Sequence, residues 1–448
     1  ELWPQLKNPR FLEMLKNRRA FLSLIAVLML SQIALAGAAA GRTYEEKEWG
    51  LGMIMRGATI PFATDETRVA SLVPMMWYQG ERVYFLGTEG GVMLYTKDKW
   101  RISALGRMHF FDIPSDLQNE YQGNTVDAGL QARYEVFGPT YIDAELMTDF
   151  EGNAHLNFRY GSSWESRKFQ FHPYAEFKLK NRHYNSYYYG LDRVGVAAGG
   201  DLSVGFVGTY HFLSNFYAYG AAKFTLLDRQ VRDSEFVNKD GLSEVYVGLG
   251  LSDDRSKPLK AVVGGTAFWR VAHGWATPSS LADIFAGEAK KDVYNNQMTS
   301  VFYGHPLTDN LFGLPLDLFV NGGLVWHHKS EVQVDAQEVV ANIKIFYTVP
   351  LPVRVRLGVA EGVSYVNTIP YVEETQLGKK GYQPSKLLNF LDFSVGLNVG
   401  DITGGKTMKH WWLGYSVHHR SAIFESAQHF GRIKGGSNFQ TVYLQWHY

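Results

Sequence analysis

From Trp49 onward the chain alternates: Trp49, Leu51, Met53 and Met55 stand between Gly50, Gly52 and Ile54. That is the period of two that sends successive side chains to opposite faces of a β-strand. Val73 to Tyr78 and Val83 to Leu86 flank the tight turn Gln79-Gly80-Glu81-Arg82, and Val92 to Tyr95 and Trp100 to Leu105 flank Thr96-Lys97-Asp98-Lys99, so two hairpins are expected. Further strands are predicted at Gly129 to Val136, Tyr141 to Asp149, His155 to Tyr160, Phe169 to Leu179, Gly200 to Tyr210, Asn215 to Leu227 and Glu244 to Leu251. Each has roughly ten residues and one apolar face, as a tilted strand crossing a bilayer requires.

The texture changes after the charged, Pro-containing stretch Ser252 to Lys260, which reads as a turn or linker. A polar stretch at 276–298 with a short helix in SSLADIFAGEAKKDVYNNQ comes first. Strands follow at Leu316 to His327, Val339 to Thr348, Val353 to Ser364, Phe390 to Val399, Trp411 to Val417 and Thr441 to Tyr448. Two more at 261–272 and 299–304 bring this region near the eight of a small barrel. The pattern predicts an all-β fold of transmembrane antiparallel β-barrels, two in tandem over 45–252 and 253–448. A single large barrel of about eighteen strands is the alternative.

The last hairpin carries the sharpest chemical signal. Val442, Leu444, Trp446 and Tyr448 share one face of the final strand, and Tyr443, Gln445 and His447 the other. In the strand before it, the face of Trp411, Leu413, Tyr415 and Val417 continues by twos to His419 and Ser421. A histidine and a serine on a lipid-facing stripe do not serve packing in oil. Residues i and i+2 of a strand lie ~7 Å apart on one face, which lets an imidazole act as base for a neighbouring hydroxyl.

Composition narrows the setting. The 448 residues carry 44 Lys+Arg and 44 Asp+Glu, so no basic excess exists to neutralise phosphates and a nucleic-acid partner is excluded. Mean hydropathy is −0.19, yet 15% of residues are aromatic and 45 are Gly, which suits strands with one face in lipid and one in water. Cysteine is absent, so there is no disulfide framework or thiolate metal site. Lys16, Arg18 and Arg19 precede the apolar run Ala20 to Leu30, then Ala34-Leu35-Ala36 and small residues to Gly41. Residues 1–40 read as a secretory signal with an extension upstream of Met14, which places the mature chain in the bacterial outer membrane.

GLGMIMRGATIPF, VPMMWYQGERVYFLGTEGGVMLY, YNSYYYGLDRV and VRDSEFVNKDG resemble the MipA/OmpV family of outer-membrane barrels over about 49–251. The family is named for interaction with a murein-degrading transglycosylase. The resemblance implies a scaffolding role in envelope or murein maintenance and a murein hydrolase as partner. HHRSAIF at His418 to Phe424, GGSNFQTVYLQWHY, VRLGVAEGVSYV and WHH at Trp326 to His328 resemble lipid A 3-O-deacylases of the PagL type over about 300–448. In that family a His-x-Ser pair faces the outer leaflet from the wall of an eight-stranded barrel. The resemblance implies an acyl-ester hydrolase with Ser421 as nucleophile, His419 as base, and lipopolysaccharide and outer-membrane lipids as partners.

Two positions depart from that pattern. The family's Glu about a dozen residues after the serine is here Ile433, and the Asn that commonly follows the serine is Ala422. Glu425 is the nearby replacement for the acid that holds the imidazole; Glu361 and Glu373 are remote ones. A non-catalytic headgroup-contacting girdle remains the rival reading of HHRS, with His418 and Arg420 toward the lumen or phosphates. His327-His328 and His418-His419 place neighbours on opposite faces, which argues against a shared metal. Trp77-Tyr78, Tyr187 to Tyr189 and Trp411-Trp412 read as interfacial girdle aromatics. Scaffold, deacylase and passive porin stay open as functions, and none of them requires a cofactor or metal.

Overall fold

The computed structural model describes residues 49–448 apart from 80–81, 122–125, 150, 167, 214–215, 253–265, 310, 312–313 and 423–430. The expected signal segment 1–40 and Glu425 lie outside the described residues. The described residues form two compact units, 49–114 with 126–252 and 115–121 with 266–448. Each is a closed antiparallel barrel, as the alternation predicts.

In the first unit a thirteen-stranded sheet closes on itself. Its two-residue member Trp164–Glu165 hangs on Phe169–Lys180, which leaves twelve strands in the ring. Closure joins Trp49–Thr59 to Gly241–Ser252, with Met53 opposite Leu249. Met53, Met55, Leu130, Leu146, Val247 and Leu249 stand exposed, while Ile54, Arg56, Asp143, Glu145 and Glu176 are buried. A wall apolar outside and charged inside is built for lipid around it and water within. No helix of the described residues is long and apolar enough to cross a membrane.

The lumen of this barrel is lined by paired charges. Arg107 bonds Glu89 and Glu145 at 2.6 and 2.8 Å, and Arg159 bonds Glu176 at 2.6 Å. They edge a cavity of about 680 Å³ that also meets Tyr174, Tyr219 and Trp77. Two groups of aromatics expected at the membrane boundary are luminal instead. Trp77 packs within 6 Å of Tyr217 and Tyr219. Tyr187 and Tyr188 belong to the short helix Arg182–Tyr188, capped by Asn181. Its Tyr184 and Tyr188 are buried, with the Tyr188 ring stacked on His109 at 4.4 Å and its hydroxyl donating to Asp149 at 3.0 Å. Lipid offers a tyrosine hydroxyl no partner; the polar lumen does.

The second unit is a closed barrel of eight strands: Phe268–Thr277, Gln297–Thr308, Leu316–His327, Ala336–Val349, Val355–Val366, Leu387–Asn398, Trp411–Ser421 and Gly436–His447. Eight strands leave an interior that side chains can fill, and here they do. Phe268, Phe319 and Phe346 form one layer, and Met298, Phe302, Phe390 and Phe439 belong to another. Between them the Asp392 carboxylate accepts from Arg270 at 3.1 Å and from Lys344. Nearer one end Glu338 accepts from His327 at 2.8 Å and His418 at 3.0 Å, and Arg420 donates to Glu373 at 3.0 Å. His418 and Arg420 are thus core groups of the lumen. A packed interior of this kind is no channel, which argues against a pore through this barrel.

Trp411 stacks on Trp446 at 5.5 Å on the outer wall, whereas Trp412 is 2% exposed and lies under Arg356 at 4.0 Å. The girdle reading holds for the first tryptophan and fails for the second. Connections 278–296, 328–335, 367–386 and 422–435 join strands at one end, and 309–315, 350–354 and 399–410 at the other. Long loops belong to the extracellular end of such barrels.

Candidate active site on the outer wall of the second barrel

Cross-strand register decides what surrounds His419 and Ser421. Phe390, Thr441 and Tyr443 point inward, because Phe390 belongs to the core, Thr441 bonds Ser416 in the lumen and Tyr443 lies over Arg270. A strand alternates faces, so Asn389, Leu391, Asn438, His419 and Ser421 all point outward. His419 sits opposite Leu391 on one side and Asn438 on the other, and Ser421 opposite Asn389 and Gly436. Directly opposed residues have Cβ atoms ~5 Å apart. The row is at the end of the barrel that carries the longer connections.

Among the described residues the imidazole is held by an amide, not a carboxylate. His419 Nδ1 is 2.6 Å from Asn438 Oδ1, and Asn438 Nδ2 donates to the backbone carbonyl of Ser279 at 2.8 Å. A carbonyl only accepts, so the amide nitrogen must face Ser279 and the amide oxygen must face the ring. The proton therefore resides on Nδ1, and Nε2 is left as the acceptor, the state a general base needs. Among the described residues His419 has no hydrogen bond to Ser421.

Ser279 comes from the segment that leaves the barrel after Thr277 and crosses the outer wall. Its helix Leu281–Phe285 starts with a capping box between Ser280 and Asp283. Its Phe285 ring meets Phe393 edge-on at 5.2 Å, and Phe393 is the cross-strand partner of Val417. The segment shields the wall just below the His419 row, and Val417 is only 1% exposed. His419 and Ser421 stay half-buried, while Asn438 and Asn389 are 8% and 3% exposed. The imidazole and the serine are thus partly accessible, and the two amides beside them are nearly enclosed. Opposite Ser421 on the other flank, a Cβ at Gly436 would come within 1.7 Å of the Arg420 carbonyl oxygen, so only glycine fits there.

Two of the carboxylates weighed from sequence, Glu373 and Glu361, lie elsewhere, and Glu425 is outside the described residues. Glu373, on the helix Tyr371–Gly378, is buried and bonds Arg420 and the Ser437 hydroxyl. Burial pushes its carboxyl above the usual range, against the pull of Arg420. Glu361 is exposed on the outer wall, separated from His419 by Leu391 in the same row. Ile433 is fully buried. The amides were missed because nothing local marks them. Asn438 stands in the GGSNFQ stretch, and only the register sets it beside His419.

Residues 50–252 match the family of the MltA-interacting protein MipA. The curated MltA-interacting protein of Escherichia coli strain K12 is 25% identical over 247 residues, covering 49% of this chain and 96% of that protein. Its counterpart in Shigella flexneri aligns equally. Among solved structures, the outer membrane enzyme PagL covers 40% of this chain and 99% of its own, at 9% identity and a TM-score of 0.28. CdiB from Acinetobacter baumannii covers 90% of this chain and 60% of its own, at 8% and 0.27. Likenesses this distant carry no inference about reaction or ligand. The first barrel is MipA-like, and the chain is an outer-membrane-type barrel protein.

Proposed function

We propose that the second barrel hydrolyses an acyl ester of lipid A at the outer leaflet, with Ser421 as nucleophile and His419 as base. One observation carries this: a histidine with its proton fixed on Nδ1 stands two residues from a serine on the outward face of the barrel wall. Polar groups facing hydrocarbon are costly and are kept where they act. The ester bond of such a lipid lies at the headgroup boundary, so a nucleophile on the outer wall meets it without the lipid leaving the membrane. The Ser421 Oγ–H proton passes to His419 Nε2 as Oγ bonds the ester carbonyl carbon, and the carbonyl electron pair moves to its oxygen. Collapse of that adduct breaks the bond to the sugar oxygen, which takes the proton back from Nε2. Water, activated by the same imidazole, then releases the fatty acid and restores the serine.

A fluorophosphonate probe applied to the purified protein in detergent tests this. Covalent labelling is expected in the wild type, loss of it in Ser421→Ala and strong reduction in His419→Ala; equal labelling of all three would sink the hydrolase reading.

The family match over 50–252 supports a second role for the first barrel, as an envelope scaffold that docks a murein hydrolase. Pull-down from detergent extracts should enrich such an enzyme over an unrelated barrel of similar size. Equal recovery on both would remove the scaffold reading.

A further inference from the structure

Resting on the hydrolase reading above, we infer that two outward-facing amides, Asn438 and Asn389, complete the site where Ile433 and Ala422 stand in the positions of the carboxylate and the post-serine asparagine. Asn438 is the positioning residue. It accepts from His419 Nδ1 at 2.6 Å while its own amide nitrogen is pinned by the Ser279 carbonyl at 2.8 Å. A neutral amide can hold the tautomer and ring orientation of a catalytic histidine, as it does in Cys-His-Asn proteases. It gives less stabilisation of the imidazolium than a carboxylate would.

Asn389 is the catalytic amide. It sits directly opposite Ser421 on the neighbouring strand and is 3% exposed. Its buried Oδ1 has no hydrogen-bond partner among the described residues. Buried amides are normally satisfied, and one left unsatisfied beside a nucleophile points to a ligand that supplies the missing contact. A lipid substrate brings both kinds of group: an ester carbonyl, whose developing oxyanion the Nδ2–H donor can stabilise, and sugar hydroxyls that can donate to Oδ1. Gly436, opposite Ser421 on the other flank, carries no side chain that could compete with the amide for the ester.

Steady-state kinetics on purified lipid A in detergent micelles test the assignment, with folding of every variant verified by heat-modifiable migration on gels. Asn389→Ala is expected to lower kcat by about 10²–10³ with KM little changed, as loss of one oxyanion donor does. Asn438→Ala should lower kcat by 10²-fold or more. Asn438→Asp should retain activity and move the acidic limb of the pH profile upward by roughly one unit, because a carboxylate beside an imidazole raises its pKa. Folded Asn389→Ala and Asn438→Ala proteins with wild-type kcat, or an unmoved pH limb in Asn438→Asp, would overturn the inference while leaving the serine–histidine reading intact. Undiminished turnover by folded Ser421→Ala would overturn both.

Discussion

Ser421→Ala is expected to lower acyl release from lipid A by a factor of about 10⁴–10⁶ in purified protein, with substrate binding nearly unchanged. In the proposed reaction the hydroxyl forms the covalent intermediate, and no other serine stands beside His419 on the outer wall among the described residues. Removing one member of a nucleophile–base pair costs nearly as much as removing both. His419→Ala and the double variant should therefore fall close to Ser421→Ala, not multiply with it. What remains comes from binding and from oxyanion stabilisation alone. Initial rates of fatty-acid release from micellar lipid A measure this, and a loss of less than tenfold would contradict the assignment of Ser421 as nucleophile.

The second large effect concerns the barrel that holds the site. Asp392→Ala leaves Arg270 and Lys344 buried together without their shared carboxylate, and like charges in a low-dielectric interior repel strongly. Breaking a buried ion pair from one side costs about 3–5 kcal/mol. For a domain of this size that amounts to a drop on the order of 10 °C in the unfolding midpoint. Heat-modifiable migration on gels reads the midpoint directly. Because Asp392 pairs with His418 on the luminal face, on the opposite side of the wall from His419 and Ser421, activity at low temperature should survive. An unchanged midpoint would mean that the lumen relaxes or admits water freely.

Much of the fold was legible in the alternation because lipid on one side and a charged lumen on the other impose a period of two on every strand. Val442, Leu444 and Trp446 face out and Tyr443 and Gln445 face in, as their spacing predicts. The aromatics were less legible. Trp77 and Tyr188 are as suited to a polar lumen as to a headgroup layer, and composition does not separate these. The helix Arg182–Tyr188 folds inward because His109 and Asp149 offer its tyrosines partners, a long-range fact no local pattern contains. His419 and Ser421 were readable because both lie on one strand. Asn389 and Asn438 were not, because their proximity depends on the register of three strands, and a search for a missing carboxylate passes over amides.

The central claim is that this outer wall carries out ester chemistry on membrane lipid. Mass spectrometry of lipid A from cells expressing the wild type, Ser421→Ala or no protein tests it most directly. The account predicts loss of one ester-linked acyl chain with the wild type, and the unmodified pattern both with Ser421→Ala and without the protein. Identical acylation in all three, with both proteins folded in the outer membrane, would contradict it.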